Sequence, residues 1–187
     1  VDIATEFPRK WADTSAFIAW FEDTLKQARA AYTKLAEANL CVPCDLPAEY
    51  LFEHTYFVVG AHPYSAPDYN QEAEKRLFEL LEHPLCVGVG EIGLDFGPYC
   101  EVPEEVQRHA FERQLSIAHE HNQRVELHLR DGADDTHAHD LALEILNRLG
   151  VPKAGCDLHC YTDGPEVMKP FADLGCFVAF GGAATFK

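Results

Sequence analysis

Short apolar runs alternate with amphipathic stretches along most of this chain. The runs at Tyr56–Gly60, Cys86–Glu91, Arg124–His128, Gly155–His159 and Cys176–Phe180 are rich in small and β-branched residues. Each is too short for a helix and reads as a strand of a covered, parallel sheet. Val1–Ala4 and Phe17–Trp20 extend the set to seven. The intervening segments carry helical periodicity. Gln71–Glu82 gathers Leu77, Leu80 and Leu81 on one face, and Glu104–His121 spaces Val106, Ala110, Phe111, Leu115 and Ala118 as a buried stripe. Thr24–Ala38, Asp140–Leu149 and Pro165–Leu174 complete the helices, the last entered through Asp163-Gly-Pro-Glu166 with proline in its first turn.

Strict alternation of this kind predicts an α/β architecture, and seven strands predict a (β/α) TIM-type barrel lacking its eighth strand. A full barrel takes about 250 residues, so the 187 residues are expected to form a single, incomplete barrel domain spanning 1–187. No run approaches the length of a membrane span, and the N-terminal residues lack the order of a secretion signal.

The ends of three strands change the picture. Leu85-Cys-Val-Gly-Val-Gly90 leaves little room for side chains on one face and stops at Glu91. Arg124-Val-Glu-Leu-His128 and Ala154-Gly-Cys-Asp-Leu-His159 each stop at a histidine. Taken singly, each residue reads as a helix cap or a hydrogen-bonded core histidine. Strand C-termini converge at the mouth of a parallel barrel, however, and Glu, His and His meeting there form a metal site. Carboxylate oxygen with imidazole nitrogen suits zinc, manganese or magnesium.

Charge narrows the class further. Thirty-one acidic residues oppose 15 basic ones, a net of -16. That excludes a protein holding nucleic acid across a broad basic surface, but not a phosphate substrate drawn to divalent cations in a pocket. Seven cysteines, an odd number, suit reduced thiols in a cytoplasmic protein. Cys41-Val-Pro-Cys44 is the one close pair and supplies half a zinc pattern without its second half. His137-Ala-His139, among several aspartates at a helix start, reads as a solvated turn.

Several segments resemble the TatD family of metal-dependent deoxyribonucleases, amidohydrolase-like TIM barrels. They are Val59-Gly-Ala-His-Pro63, Gly90-Glu-Ile-Gly-Leu-Asp95, Gln107 through His128 with Phe111-Glu-Arg-Gln-Leu115, His128-Leu-Arg-Asp131, His159-Cys-Tyr-Thr-Asp-Gly164, and Phe180-Gly-Gly182 through Thr185-Phe-Lys187. The resemblance implies Glu91 as a bridging carboxylate of a two-metal site, with His128 and His159 on the second metal. It also implies that His62 and Arg130 contact substrate phosphate, the guanidinium bidentately. A turn histidine ordered by Pro63, and a surface pair between Arg130 and Asp131, are the competing readings. Asp95 is expected to fix its loop rather than to bind metal.

Two departures bear on activity. The family opens with His-x-His on the first strand, whereas Val1-Asp-Ile-Ala-Thr-Glu6 puts Ala4 and Glu6 at those positions. The family's last ligand, an aspartate ending the eighth strand, has no counterpart before Lys187. The expected function is therefore hydrolysis of DNA or another phosphodiester by metal-activated water. The alternatives are an inactive or fragmentary homologue with weak metal binding, or a related amidohydrolase acting on a small ester or amide. Relatives of the last kind often use a carboxylated lysine bridge, and no predicted strand here ends in lysine.

Overall fold

The computed structural model describes residues 1–38, 40, 48–133 and 135–185. The Cys41/Cys44 pair, Asp134, Phe186 and Lys187 lie outside the described residues. The elements in chain order are α1 (Thr14–Glu37), α2 (Ala48–Glu53), β1 (Phe57–Val59), α3 (Gln71–Leu81), β2 (Cys86–Asp95), α4 (Glu104–Glu120), β3 (Arg124–Arg130), α5 (His137–Leu149), β4 (Cys156–Leu158), α6 (Pro165–Asp173) and β5 (Phe177–Val178). Two compact units emerge: residues 7–56, and residues 1–6 together with 57–187. No described helix is long and apolar enough to cross a membrane.

In the larger unit the strands pair in sequence order, β1 to β5, and every pairing is parallel. The N-terminal residues, expected as a strand, add only an isolated parallel bridge from Asp2 to Gly60. Period-two alternation divides the sheet. Phe57 and Val59 of β1, Val125 and Leu127 of β3, and Cys156 and Leu158 of β4 are buried. The helices supply a matching apolar layer from Leu77 and Leu80 of α3, Ala110, Phe111 and Leu115 of α4, and Ala142 and Ile145 of α5. The alternate positions, Glu126, His128 and Arg130 on β3 and Asp157 on β4, belong to the opposite face. That face carries the polar chemistry.

The smaller unit corrects one expectation. Phe17–Trp20, read as a strand from its aromatic and β-branched content, lies in the first turns of α1. Asp13 decides the matter: its Oδ1 accepts the Ala16 backbone N–H at 2.8 Å and starts the helix there. The aromatics then form a ring cluster, with Trp11 4.9 Å from Phe17 and 5.0 Å from Trp20 between centroids. Tyr32 of α1 meets Phe52 of α2 edge to face at 6.0 Å.

A candidate metal centre

Two glutamines of α4 build the frame. Gln114 is wholly buried; its Oε1 accepts the Ala61 N–H at 2.7 Å and its Nε2 donates to the Ala61 carbonyl at 3.2 Å. Gln107 treats Asp95 the same way, accepting its N–H at 2.7 Å and donating to its carbonyl at 3.0 Å. Each side chain thus replaces a strand partner for one residue, just where β1 and β2 run out. His62 follows the first clamp, and the carboxylate of Asp95 sits in the second. Asp2 adds a further tie: its Oδ2 accepts the Ser65 hydroxyl and the His62 N–H, the latter at 3.3 Å.

β2 outlasts its predicted end. It continues past Glu91 to Asp95, its pairing with β3 shifting register between Val89 and Ile92. Glycine at 93 is required because its φ is +144° and a Cβ there would collide with the His128 carbonyl oxygen. β3 likewise continues past His128 to Arg130, and His159 follows directly on β4.

The three predicted ligands come together. Glu91 Oε1 lies 2.7 Å from His159 Nε2, and Glu91 Oε2 lies 3.9 Å from His62 Nε2. The rings of His62 and His128 are 4.2 Å apart. His62, Glu91 and His128 offer one ligand atom each within 4.8 Å of one another, and so do Glu91, Glu126 and His159. Glu91 belongs to both groups. Carboxylates and imidazoles at this spacing fit a divalent cation by the chemistry of their donors.

Hydrogen bonds assign the ring nitrogens. Asp95, fully buried, accepts from His128 Nε2 at 2.8 Å, which leaves the Nδ1 lone pair of His128 for the site. The same carboxylate accepts the Gly97 N–H at 2.9 Å, the loop-fixing role expected of it. His62 is arranged oppositely. Its Nδ1 accepts the Tyr64 N–H at 3.2 Å, so its proton sits on Nε2, facing Glu91 as a donor. Burial, reinforced by His128, pulls His62 down to a pKa of about 4, leaving it uncharged at neutral pH.

Arg130 does not pair with Asp131. Its Nη1 lies 3.3 Å from the Tyr64 hydroxyl and 3.5 Å from Asp95 Oδ2, and the side chain is half exposed. Asp131 instead caps α5, accepting the Ala138 N–H at 2.7 Å, and holds His139 Nδ1 at 2.5 Å. The His137-Ala-His139 segment is therefore no solvated turn: His137 is exposed against Glu104, but His139 is buried. A cavity of about 800 Å³ opens beside His128, Arg130, Asp131, His159 and Asp163, a volume suited to a small ligand. A second, of about 260 Å³, is lined by Gly60, His62, Glu91 and Glu126 among others.

Glu126 joins these residues, although the strand-end pattern of the sequence does not single it out. It lies mid-strand, pairs in register with Asp157, and places Oε1 3.6 Å from His159 Nδ1. Burial pushes its carboxyl above the ordinary range, and Asp157 and Glu91 push the same way. The available signal was period two: position 126 shares a strand face with His128.

A parallel α/β sheet with histidines and a shared carboxylate at its C-terminal end places this chain among the metal-centred (β/α) barrels. The profile of the TatD related DNase family matches residues 16–187, and the chain belongs to that family. Metal-dependent hydrolase YabD of Bacillus subtilis (strain 168) is 31% identical over 136 residues, covering 73% of this chain and 51% of the relative. The 3'-5' ssDNA/RNA exonuclease TatD of Escherichia coli (strain K12) is 31% identical over 131 residues, covering 70% and 48%. Among solved structures, the TatD homologue YJJV from Escherichia coli k12 superposes with a TM-score of 0.58 at 28% identity, over 70% of this chain and 48% of that one. An amidohydrolase from Saccharomyces cerevisiae shares the fold, with a TM-score of 0.52 at 19% identity over 66% of this chain and 47% of that one. The chain spans about half the length of the curated relatives it matches.

Proposed function

We propose that this chain carries the metal centre of a hydrolase that cleaves phosphodiester bonds of nucleic acid, with DNA the principal substrate. The observation that carries the reading is Glu91, whose two oxygens face different histidines, His159 at 2.7 Å and His62 at 3.9 Å. Glu91, His128 and His159 hold divalent metal, which, when bound, acidifies water and polarises a phosphoryl oxygen. Zinc, manganese and magnesium all suit these donors. The protein's own groups orient the substrate. His62 presents Nε2–H to a phosphate oxygen, and Arg130 offers its guanidinium from the rim of the larger cavity. Asp95 engages the His128 Nε2, leaving Nδ1 as the ring atom with which His128 would hold a metal.

Support for nucleic acid comes from the names of relatives such as the Escherichia coli exonuclease. The five described cysteines are all free of disulfides, which supports a reducing, cytoplasmic setting. A metal-binding homologue without nuclease activity is the second reading. It is favoured by Ala4, which has no ligand atom where the family pattern expects histidine, and whose backbone N–H is tied to Asp2 Oδ1 at 2.9 Å.

The deciding experiment follows cleavage of end-labelled single-stranded DNA and RNA with Mn²⁺, Mg²⁺ or Zn²⁺, with EDTA, and in a His128→Ala variant. Cleavage is expected only with added cation and to fall at least ~100-fold in the variant. Cleavage surviving both EDTA and the substitution would sink the metallonuclease reading. Cation binding without any cleavage would favour the second one.

A further inference from the structure

The inner face of the sheet is short of positive charge. Glu91, Glu126 and Asp157 all reach it, and among the described residues no lysine or arginine forms an ion pair with any of them. Their nearby basic groups are the imidazoles of His62 and His159 and the α-amino group of Val1. Three carboxylates thus face a single amine and two imidazoles, and partly buried carboxylates in excess of their counter-charges are costly, so a fold retains them where a cation compensates.

Glu126 is built into this arrangement. A Cβ at Gly90 would lie 2.6 Å from the Glu126 Cβ, so the absent side chain at 90 is what lets Glu126 lie over β2 beside Glu91. His159 sits between the two carboxylates, Nε2 toward Glu91 at 2.7 Å and Nδ1 toward Glu126 at 3.6 Å. One ligand atom from each of the three residues falls within 4.8 Å of the others. Glu126 also lines the smaller cavity together with Glu91 and His62. The side chain therefore faces open space rather than the packed helix layer.

We propose that Glu126 is a metal ligand, joining Glu91 and His159 as the third protein donor to one cation. The assignment rests on the metal-centre reading above and extends it to a residue to which the family resemblance gives no role. With Glu126 the centre gains a second anionic ligand, which favours a hard divalent ion such as Mn²⁺ or Mg²⁺ over a site of imidazoles alone.

The test compares wild-type protein with Glu126→Gln, Glu126→Asp and, as a control, Asp157→Asn. Mn²⁺ binding is read by titration calorimetry, and melting temperature is read with and without Mn²⁺. Glutamine keeps the shape and removes the charge. Glu126→Gln is expected to weaken Mn²⁺ binding roughly tenfold or more, or to abolish one bound ion. It should also raise the melting temperature of the metal-free protein while shrinking the rise that Mn²⁺ produces. Asp157→Asn should bind Mn²⁺ as wild type does. Glu126→Asp keeps the charge but withdraws it by a methylene, and should fall between wild type and glutamine. It decides the question if the glutamine variant fails to fold. Unchanged Mn²⁺ affinity and stoichiometry in Glu126→Gln would overturn the assignment while leaving the metal centre standing. A lower metal-free melting temperature with intact Mn²⁺ affinity would overturn it too, since that is the mark of a structural carboxylate. Wild-type protein that binds no divalent cation would remove both proposals together.

Discussion

His128 divides its two ring nitrogens between the protein and the site. Asp95 holds Nε2 at 2.8 Å from a fully buried position, so the orientation of Nδ1 depends on a residue closed off from solvent. Partners of this kind typically govern metal affinity by about 10- to 100-fold. Asp95→Asn is accordingly expected to weaken Mn²⁺ binding about tenfold in a calorimetric titration, with the fold retained by circular dichroism. An affinity equal to wild type would show that His128 needs no such support. The same scale explains which residues could be found from sequence. Glu91, His128 and His159 follow apolar runs or close them, and a polar residue there is conspicuous. Glu126 hides between Val125 and Leu127, where alternation makes an outward-facing charge look ordinary. Nothing local reveals that this strand's other face lines a site. That knowledge comes only from the curl of the sheet and from Gly90 on the neighbouring strand.

Helix α4 acts on the site from behind. Gln107 and Gln114 are two turns apart, so they fall on the stripe that also carries Ala110, Phe111 and Leu115. Glutamines on an apolar stripe signal backbone groups that need partners, and here those groups belong to Asp95 and Ala61. Gln114→Leu would fill similar space yet leave the Ala61 N–H and C=O buried without this partner. The expected cost is about 2–3 kcal/mol of stability, read from denaturant unfolding. A loss within ~0.5 kcal/mol would mean that water or a neighbour replaces the amide. Elements with a clear period are legible in the sequence: α3, α4 and β1 through β4 fall within a few residues of expectation. The failure at Phe17–Trp20 has a local cause. Aromatic and β-branched residues favour strands only where a pleated, half-buried surface awaits them. Here the Asp13 cap and the Ala- and Lys-containing sequence beyond it continue one helix through the segment. Glu91 and His128 look like strand ends for a related reason: a polar residue resembles a terminus, but here the strands continue past it to Asp95 and Arg130.

At the scale of the whole chain, charge sets how a nucleic acid would bind if the proposed nuclease reading holds. With a net of -16, the surface as a whole repels a polyanion, and Arg130 is the one cationic side chain among the described residues lining the larger cavity. On the proposed nuclease reading, attraction is therefore concentrated at that guanidinium and at the cations that Glu91 and its neighbours would hold. Few phosphates can be neutralised in this way, so few counterions are released on binding. For single strands, the logarithm of affinity falls with the logarithm of salt by roughly 0.7 per neutralised phosphate. One or two contacts thus predict a slope of about -1, against roughly -4 or steeper for a groove tracking six or more phosphates. The measurement is the KM of a short single-stranded oligonucleotide at fixed, saturating Mn²⁺ while KCl is raised. A shallow slope would be accompanied by strong dependence on Mn²⁺ itself, because removing the cation restores an uncompensated cluster of carboxylates facing the phosphate. A steep slope would require a wide basic track, and the pocket-centred account of binding would then be wrong.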